Sequence, residues 1–211
     1  MSENSEFIKK YSTGSKARDW FYEKWLSLGI TKTLKRRRVE FVDSVLGGAL
    51  SNARTILEIG CGSGRDFVKS MANSKAHIYG LDPFNAGIVQ PNFTFIEGDI
   101  AEIPYPDQFF DVTLSFGVLE HIEPFEKLSL GIKEMARVSK RYCMIVPCIA
   151  TRFEPHQWEY RWQLKRPNDR QLHLNYLSDA AWLQFEGFKN ARTVRFSYVP
   201  GLITSVLIYL S

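Results

Sequence analysis

The chain has 211 residues, of which 45% are hydrophobic and 24% charged, and its formal net charge is +4. These are globular proportions, and they exclude a wholly disordered, collagen-like or coiled-coil chain. The length predicts one large domain, or one domain with a small appendage. Three cysteines and four scattered histidines exclude a disulfide scaffold and a classical zinc cage. We therefore expect no metal, no signal peptide, no membrane span and a cytoplasmic location.

Two helices are predicted within the first 50 residues. Apolar side chains recur at spacings of three and four residues in the first, at Trp20, Phe21, Trp25 and Leu28. The second carries one apolar face, made of Leu34, Phe41, Val42, Val45 and Leu46. Gly47 and Gly48 are typical of a helix end. The basic run Lys35–Arg38 falls inside the second helix, where a solvated surface is the simplest interpretation.

Short apolar runs alternate with segments of helical spacing from residue 55 onward. The runs are Thr55–Ile59, His77–Asp82, Asn92–Glu97, Asp111–Ser115 and Tyr142–Val146. Helical spacing between them is clearest at 66–72 and 127–138. This alternation predicts right-handed βαβ units and a parallel sheet. The chain then continues with a predicted helix, Ser178–Gly187, and two strands, Arg192–Tyr198 and Ile203–Leu210, which must pair antiparallel because no helix separates them.

The first strand runs into a loop with three alternating glycines, Gly60, Gly62 and Gly64. Such a turn lets the backbone approach a ligand closely, although structural glycine turns are also common. The spacing is GxGxG rather than the dinucleotide pattern GxGxxG, because Arg65 occupies the sixth place. Asp66 lies in the first turn of the next segment, and its negative charge makes the binding of an anion there less favourable. A nicotinamide oxidoreductase is therefore disfavoured.

Acidic residues follow the second and third strands. Asp82 ends the second strand, where a carboxylate can accept both ribose hydroxyls. The alternative is a turn carboxylate beside Pro83. Asp99 follows the third strand and could accept a hydrogen bond from an exocyclic amine, with Ile100 as an apolar wall for a base. A Gly-Asp pair is by itself usually only a turn, so this interpretation of Asp99 depends on its position directly after the third strand.

Residues 56–121 closely resemble the class I S-adenosylmethionine-dependent methyltransferases, in the type 11, UbiE-like branch. The matching pieces are ILEIGCGSG, IYGLDP and FIEGDIAEIPYPDQFFDVTLSFGVLEHI. The resemblance implies a Rossmann-like, doubly wound α/β fold with a mostly parallel seven-stranded sheet, an antiparallel C-terminal hairpin and an N-terminal helical cap. We expect one domain over 1–211, with a cap at 1–50, a cofactor-binding core at 55–146 and an acceptor-side segment at 147–211.

The resemblance also implies a cofactor, S-adenosylmethionine, whose product is S-adenosylhomocysteine (SAH). Glu58 would support the amino group, Asp82 would hold the ribose, and Asp99 would read the adenine. Ser115 and Phe116 would line the methionine end, and Tyr11, Trp20 or Tyr22 could close over the cofactor. The whole expected cofactor site is Glu58, Gly60, Cys61, Gly62, Gly64, Asp82, Pro83, Asp99, Ile100, Ser115 and Phe116.

Methyl transfer from a sulfonium needs alignment and water exclusion, and a base when the acceptor is a hydroxyl. His121 and His156 are the candidate bases, although His121 could simply order its loop. Glu120 and Glu123 are expected to be solvated. The segment after the fifth strand, which is rich in aromatic and basic residues, predicts substrate contacts, with core packing or solvation as the alternative. The candidates are Arg152, Trp158, Arg161, His173 and Tyr176.

The sequence thus predicts methyl transfer to a small-molecule acceptor that could be anionic. A nucleic-acid-associated methyltransferase or binder that uses Lys35–Arg38 is disfavoured but stays open. A cofactor-binding protein without catalysis is a second alternative. The acceptor, the atom methylated and the oligomeric state are not determined by the sequence.

Overall fold

The computed structural model describes residues 29–64, 67–147, 177–199 and 203–211. The helices within these ranges are α1 (Gly29–Val45), α2 (Ala49–Asn52), α3 (Phe125–Val138) and α4 (Asp179–Trp182). Short 3₁₀ segments lie at Val68–Met71, Leu119–His121 and Glu186–Phe188. The strands are β1 (Thr55–Ile59), β2 (His77–Asp82), β3 (Phe93–Glu97), β4 (Phe110–Phe116), β5 (Ser139–Val146), β6 (Arg192–Val199) and β7 (Ile203–Leu210).

The seven strands form one mostly parallel sheet in the order β3-β2-β1-β4-β5-β7-β6. Strands β1 to β5 pair in parallel with their neighbours. Strand β7 is antiparallel to both β5 and β6. The predicted fold class, with five parallel strands followed by an antiparallel hairpin, is confirmed.

Both faces of the sheet are covered, which makes the fold doubly wound. Ile56 belongs to the apolar cluster under α1, whereas the next residue, Leu57, belongs to the cluster under α3. This alternation follows from the period of two along a strand. Helix α1 contributes Val39 and Val42 to the first face, and Leu46 joins them directly after the helix. Helix α3 contributes Leu128, Ile132 and Met135 to the second face.

Helix α1 ends at the predicted pair of glycines. Gly47 and Gly48 have φ angles of 62° and 81°, which are left-handed values that glycine adopts without steric cost. The carboxylate of Asp43 then accepts a hydrogen bond from the backbone N–H of Leu50 at 2.7 Å, so it satisfies a donor at the start of α2. The first predicted helix, with Trp20 and Leu28, lies outside the described residues.

Two predicted helices differ from the structure. The segment predicted at 66–72 is a 3₁₀ segment, Val68–Met71, in its described part. The helix predicted at Ser178–Gly187 is capped by Ser178 as expected, but it ends after one turn because Phe185 is extended. The chain passes close to α3 here, since a Cβ atom on Gly187 would lie 2.7 Å from the carbonyl oxygen of Ile132. Tertiary contact therefore overrides the helical spacing.

Candidate functional site

The candidate site lies at the carboxyl ends of the parallel strands. The chain runs from β1 outward to β3 and then returns to β4 on the other side of β1, so the strand order reverses between β1 and β4. A crevice forms at such a switch point, and ligands of open α/β sheets bind there. Backbone hydrogen bonds join the loops at this edge, from Gly60 N–H to the Leu81 carbonyl at 2.7 Å and from Gly117 N–H to the Val146 carbonyl at 3.0 Å.

The glycine loop makes the tight turn that its spacing predicts. Gly60, Gly62 and Gly64 all have positive φ angles, of 72°, 47° and 70°. A Cβ atom on Gly60 would lie 2.4 Å from Cγ1 of Val118, and real Cβ atoms are not found so close to another heavy atom. Glycine at position 60 is therefore required twice, by its backbone conformation and by the approach of the turn after β4.

Asp82 ties the end of β2 to the glycine loop. Its Oδ2 atom accepts a hydrogen bond from Gly62 N–H at 3.0 Å, and its Oδ1 atom accepts one from Phe84 N–H at 2.9 Å. The side chain is 6% exposed. An ionised carboxylate offers about four acceptor positions, which is more than a turn contact requires. The turn role and the ribose role of Asp82 are therefore compatible.

Glu58 and Asp82 make the loop acidic. Glu58 is 1% exposed at the end of β1, beside β2. Burial raises the pKa of the Cys61 thiol far above its ordinary value, and the charges of Glu58 and Asp82 raise it further. Such a site favours a ligand with cationic or hydroxyl groups, and it disfavours a diphosphate.

The side chain of Asp99 lies at the end of β3 and pairs with Lys127 of α3. Its Oδ1 atom also accepts a hydrogen bond from Ala101 N–H at 2.9 Å. Partial burial acts to raise the pKa of Asp99, but the hydrogen bonds and the charge of Lys127 outweigh it, so this pKa lies below its ordinary value. Ile100 is 4% exposed and packs against Gly131 of α3, so most of its side chain serves the core.

Arg137 fixes the loop that follows Asp99. It makes two hydrogen bonds to Glu134, at 2.6 and 2.7 Å, and donates to the carbonyls of Ile103 and Tyr105 at 3.0 and 2.8 Å. Glu134 in turn accepts a hydrogen bond from Ile103 N–H at 3.0 Å. Arg137 and Glu134 therefore hold the loop against α3, because Arg137 binds two of its backbone carbonyls and Glu134 binds one of its backbone N–H groups.

Ser115 and Phe116 lie at the end of β4, where the methionine part of a cofactor is expected. Ser115 is 1% exposed, and its hydroxyl donates to the Ile59 carbonyl at 3.3 Å. Phe116 is 4% exposed and packs against Phe67, with 5.8 Å between the ring centroids. Pro83, beyond Asp82, is exposed.

Arg38 of α1 reaches this end of the sheet, and its predicted place on a solvated surface was wrong. Its guanidinium carbon lies 4.5 Å from the centroid of the Phe116 ring, and its Nε atom is buried. Arg36 and Arg37, by contrast, are exposed. The sequence did carry a signal, because Arg38 is four residues after Leu34 and four before Val42, on the apolar face of the helix.

Glu120 is fully buried, so the prediction that it is solvated was wrong. The tight 3₁₀ segment Leu119–His121 turns Glu120 inward and leaves His121 exposed. Glu123 is exposed, as predicted. An exposed His121 is accessible to an acceptor, and its role as a base stays a prediction.

The predicted acceptor side falls outside the described residues. This applies to His156, Arg152, Trp158, Arg161, His173 and Tyr176, and to the possible cap residues Tyr11, Trp20 and Tyr22. Within the described ranges, no group of three or more histidine, cysteine, aspartate or glutamate side chains could hold a metal ion. None of the helices in those ranges is both long and apolar enough to cross a membrane.

Known proteins match this chain in sequence and in fold. The model of a family described as a methyltransferase domain matches residues 57–146. Demethylmenaquinone methyltransferase from Renibacterium salmoninarum is 32% identical over 122 residues, which cover 54% of this chain and 46% of that protein. The enzyme of the same name from Paenarthrobacter aurescens is 28% identical over 191 residues, covering 74% and 71%. The chain spans about half the length of the first relatives that it matches.

Among solved structures, magnesium protoporphyrin IX methyltransferase from Synechocystis PCC 6803 with bound SAH superposes with a TM-score of 0.63. The two sequences are 17% identical, and the match covers 99% of this chain and 98% of that one. This likeness concerns the fold alone.

The cofactor that the family implies is S-adenosylmethionine, and the site fits it. Its sulfonium and ammonium groups are cations, and its ribose carries two hydroxyls. Glu58 and Asp82 supply buried carboxylates where such groups need acceptors, and three positions of the glycine loop carry no side chain. The methyltransferase-domain model thus matches the stretch from β1 to β5, and the seven-stranded sheet has the fold of solved methyltransferase structures.

Proposed function

We propose that the chain transfers a methyl group from S-adenosylmethionine to a small-molecule acceptor. The observation that carries this proposal is the hydrogen bond between Asp82 and Gly62, which sets a buried carboxylate against the glycine loop at the switch point of the sheet. The names of the relatives, two of them demethylmenaquinone methyltransferases, support a small molecule as acceptor.

In this proposal each part of the cofactor has its own residues. Asp82 accepts from the ribose hydroxyls, and Asp99 accepts from the adenine amine beside Lys127. Glu58 balances the amino group, and the loop of Gly60, Cys61, Gly62 and Gly64 lies beneath the methionine part. When bound, the cofactor supplies a sulfonium methyl group that moves to the acceptor by in-line displacement.

The protein's task in such a reaction is to align the groups and exclude water. Because the leaving group is a neutral thioether, no acid is needed on that side. An acceptor hydroxyl would need a base, for which His121 and His156 are the candidates. Contacts to the acceptor are assigned to Arg152, Trp158, Arg161, His173 and Tyr176, within the acceptor-side segment 147–211 of a single domain.

The packing of Arg38 favours this function over binding of nucleic acid. A nucleic-acid site would use the whole run Lys35–Arg38 as a surface patch. Arg38 lies against Phe116 instead, and Arg36 is 3.4 Å from Glu40 on the same helix. The pair with Glu40 offsets one charge of the run, and the contact with Phe116 takes part of the Arg38 side chain out of the exposed surface.

The experiment is a transfer assay with S-adenosylmethionine that carries a labelled methyl group. The chain is incubated with a fractionated metabolite extract and, in a parallel arm, with total RNA. We expect label in a small-molecule fraction, and we expect none from an Asp82→Ala variant that is folded. Label in RNA alone would contradict the acceptor class. Binding of SAH without transfer to either pool would instead support a non-catalytic cofactor-binding protein.

A further inference from the structure

The loop that follows β3 lies along one stripe of α3. The stripe consists of Lys127, Gly131, Glu134 and Arg137. Its members are three or four residues apart, which places them on the same face of the helix. The last two members bind the backbone of the far part of the loop. Lys127 and Gly131 face its first two residues, Asp99 and Ile100, which are assigned to the adenine.

Gly131 brings α3 into direct contact with the loop. A Cβ atom at this position would lie 2.7 Å from Cγ1 of Ile100, closer than real Cβ atoms come to another heavy atom. Ile100 is 4% exposed, so it has little space in which to move. The distance between α3 and the loop is therefore fixed one helical turn beyond Lys127.

The position of Lys127 is not explained by the stability of the fold. It lies in the first turn of α3, where the positive end of the helix dipole disfavours a cation. The side chains of Lys127 and Asp99 are 36% and 48% exposed, and exposed ion pairs add little to the free energy of unfolding. The pair therefore matters through what it does to the carboxylate of Asp99.

Both oxygen atoms of Asp99 are engaged, from two sides. Oδ1 accepts a hydrogen bond from Ala101 N–H at 2.9 Å, and Oδ2 pairs with Lys127. The last torsion of an aspartate side chain has a broad energy profile, so a carboxylate held at one oxygen still rotates. The second contact fixes the plane of the carboxylate before a ligand arrives, and less conformational entropy is then lost on binding.

A fixed, ionised carboxylate discriminates between purines at one edge of the base. It only accepts hydrogen bonds, so it binds the 6-amino group of adenine. A 6-oxo group would instead place an acceptor against an acceptor. Sites built to bind a donor reject an analogue that lacks it, because a polar group is then left without its hydrogen bond.

We propose that Lys127 is a positioning residue for the adenine. It holds the carboxylate of Asp99 in the orientation that accepts from the 6-amino group, and so makes the site select a 6-amino purine over a 6-oxo purine. This inference rests on the proposed function, because Asp99 is assigned there to the adenine. Lys127 contacts the carboxylate, and the carboxylate contacts the base.

The test compares two ligands that differ at this edge of the base. One is SAH, and the other is S-inosylhomocysteine, in which an oxo group replaces the 6-amino group. Calorimetry gives both dissociation constants for the wild type, for Lys127→Met and for Lys133→Met. Lys133 is the matched control, because it is an exposed lysine of the same helix that lies 3.6 Å from Glu186. A loss of stability, or of a contact that both ligands share, changes both affinities and cancels in their ratio.

In the wild type, SAH should bind at least about tenfold tighter than the 6-oxo ligand, as a charge-assisted contact requires. In Lys127→Met this ratio should fall by about threefold to tenfold, which is the effect of ordering one free side chain. Lys127→Arg keeps the cation and should lose less. Lys133→Met should keep the wild-type ratio, and the urea midpoints of all three variants should stay near that of the wild type.

Two further variants show whether Lys127 acts through Asp99. Asp99→Ala should bring the ratio to one or below, and adding Lys127→Met should lower it no further. A further fall overturns the inference while the proposed function stands. The same holds for a wild-type ratio in Lys127→Met, for an equal fall in Lys133→Met, and for a wild type that binds both ligands equally. A wild type that binds neither ligand overturns both.

Discussion

The carboxylate of Asp82 holds the backbone N–H of Gly62 at 3.0 Å, twenty residues earlier in the chain. Through this bond the end of β2 fixes the shape of the loop that follows β1. The same carboxylate also accepts from Phe84 N–H at 2.9 Å, in its own turn. A single side chain therefore couples the stability of the loop to the proposed binding of the ribose.

Removing this carboxylate should lower both stability and affinity. Asp82→Ala leaves two backbone donors without their acceptor, which costs about 1–3 kcal/mol of unfolding free energy when the donors are buried. Binding of SAH should weaken at least about tenfold. Asp82→Asn keeps one acceptor oxygen and should recover part of the stability but little of the affinity. Urea unfolding and calorimetry measure the two effects.

A ligand control separates the ribose contact from the loop contact. A 2′-deoxy analogue of SAH lacks one of the hydroxyls assigned to Asp82. Its affinity should therefore drop less than that of SAH when Asp82 is replaced. Equal losses for both ligands would mean that Asp82 acts only by holding Gly62 and Phe84.

Gly60 and Gly47 form a matched pair for testing the glycine loop. Both have positive φ, but a Cβ atom at Gly47 meets nothing within 4 Å, whereas one at Gly60 meets Val118 at 2.4 Å. Gly47→Ala should cost only the backbone strain, about 1–2 kcal/mol, and leave SAH binding intact. Gly60→Ala should cost more and abolish SAH binding. If Gly60→Ala bound SAH as well as Gly47→Ala does, the loop would not be the cofactor cradle.

The pair of Arg137 and Glu134 predicts how stability depends on pH. Hydrogen bonds from Arg137 lower the pKa of Glu134 below its ordinary value. A lowered pKa stabilises the fold above the unfolded-state value, and this contribution is lost as pH falls through the folded-state value. The difference in unfolding free energy between the wild type and Glu134→Gln should therefore be full at pH 7 and shrink below about pH 4.

Glu40→Gln is the control for this pH effect. Glu40 faces Arg36 at 3.4 Å, but their side chains are 62% and 67% exposed. Exposed pairs of this kind contribute little, about 0–1 kcal/mol. Glu40→Gln should therefore show no comparable difference at any pH. If the unfolding free energy of Glu134→Gln fell with acid pH in parallel with that of the wild type, the pair with Arg137 would not be what holds the loop.

The buried thiols should be inert in the folded protein. Burial raises the pKa of Cys143 to about 12, and it raises that of Cys61 still further. The thiolate is the reactive form of cysteine. Because both pKa values lie far above 8, almost no thiolate is present at pH 8. Iodoacetamide should therefore label neither residue in native protein and both in urea, as read by peptide mass spectrometry. Native labelling of Cys61 would mean that the glycine loop opens readily.

The sequence predicted the parts of this molecule that depend on local pattern. The buried strands are recognisable in the sequence as short apolar runs. The glycines of the loop and of the end of α1 indicate backbone positions that need positive φ. The acids Glu58, Asp82 and Asp99 could be placed because strand ends converge at one edge of a parallel sheet. Their proposed roles came from the family resemblance.

Other features depend on contacts that no local pattern contains. Helical spacing at 178–187 gives only one turn, because the close approach of Gly187 to α3 shapes the chain there. Glu120 was expected in solvent, yet the 3₁₀ segment turns it into the core. In the sequence, Arg38 is one of four adjacent basic residues. Only the packing of α1 on the sheet distinguishes it from the other three. These features arise from tertiary packing, which a single sequence does not display.

The central claim, that the glycine loop and Asp82 form a site for S-adenosylmethionine, is tested most directly by thermal unfolding with ligands. At a hundredfold excess over its dissociation constant, SAH should stabilise the chain by about 2.7 kcal/mol. That corresponds to a rise of roughly 5–10 °C in Tm for a chain of this size. NAD at the same concentration should give no shift, because its diphosphate would meet the buried acids. A shift with NAD equal to or larger than that with SAH would contradict the account.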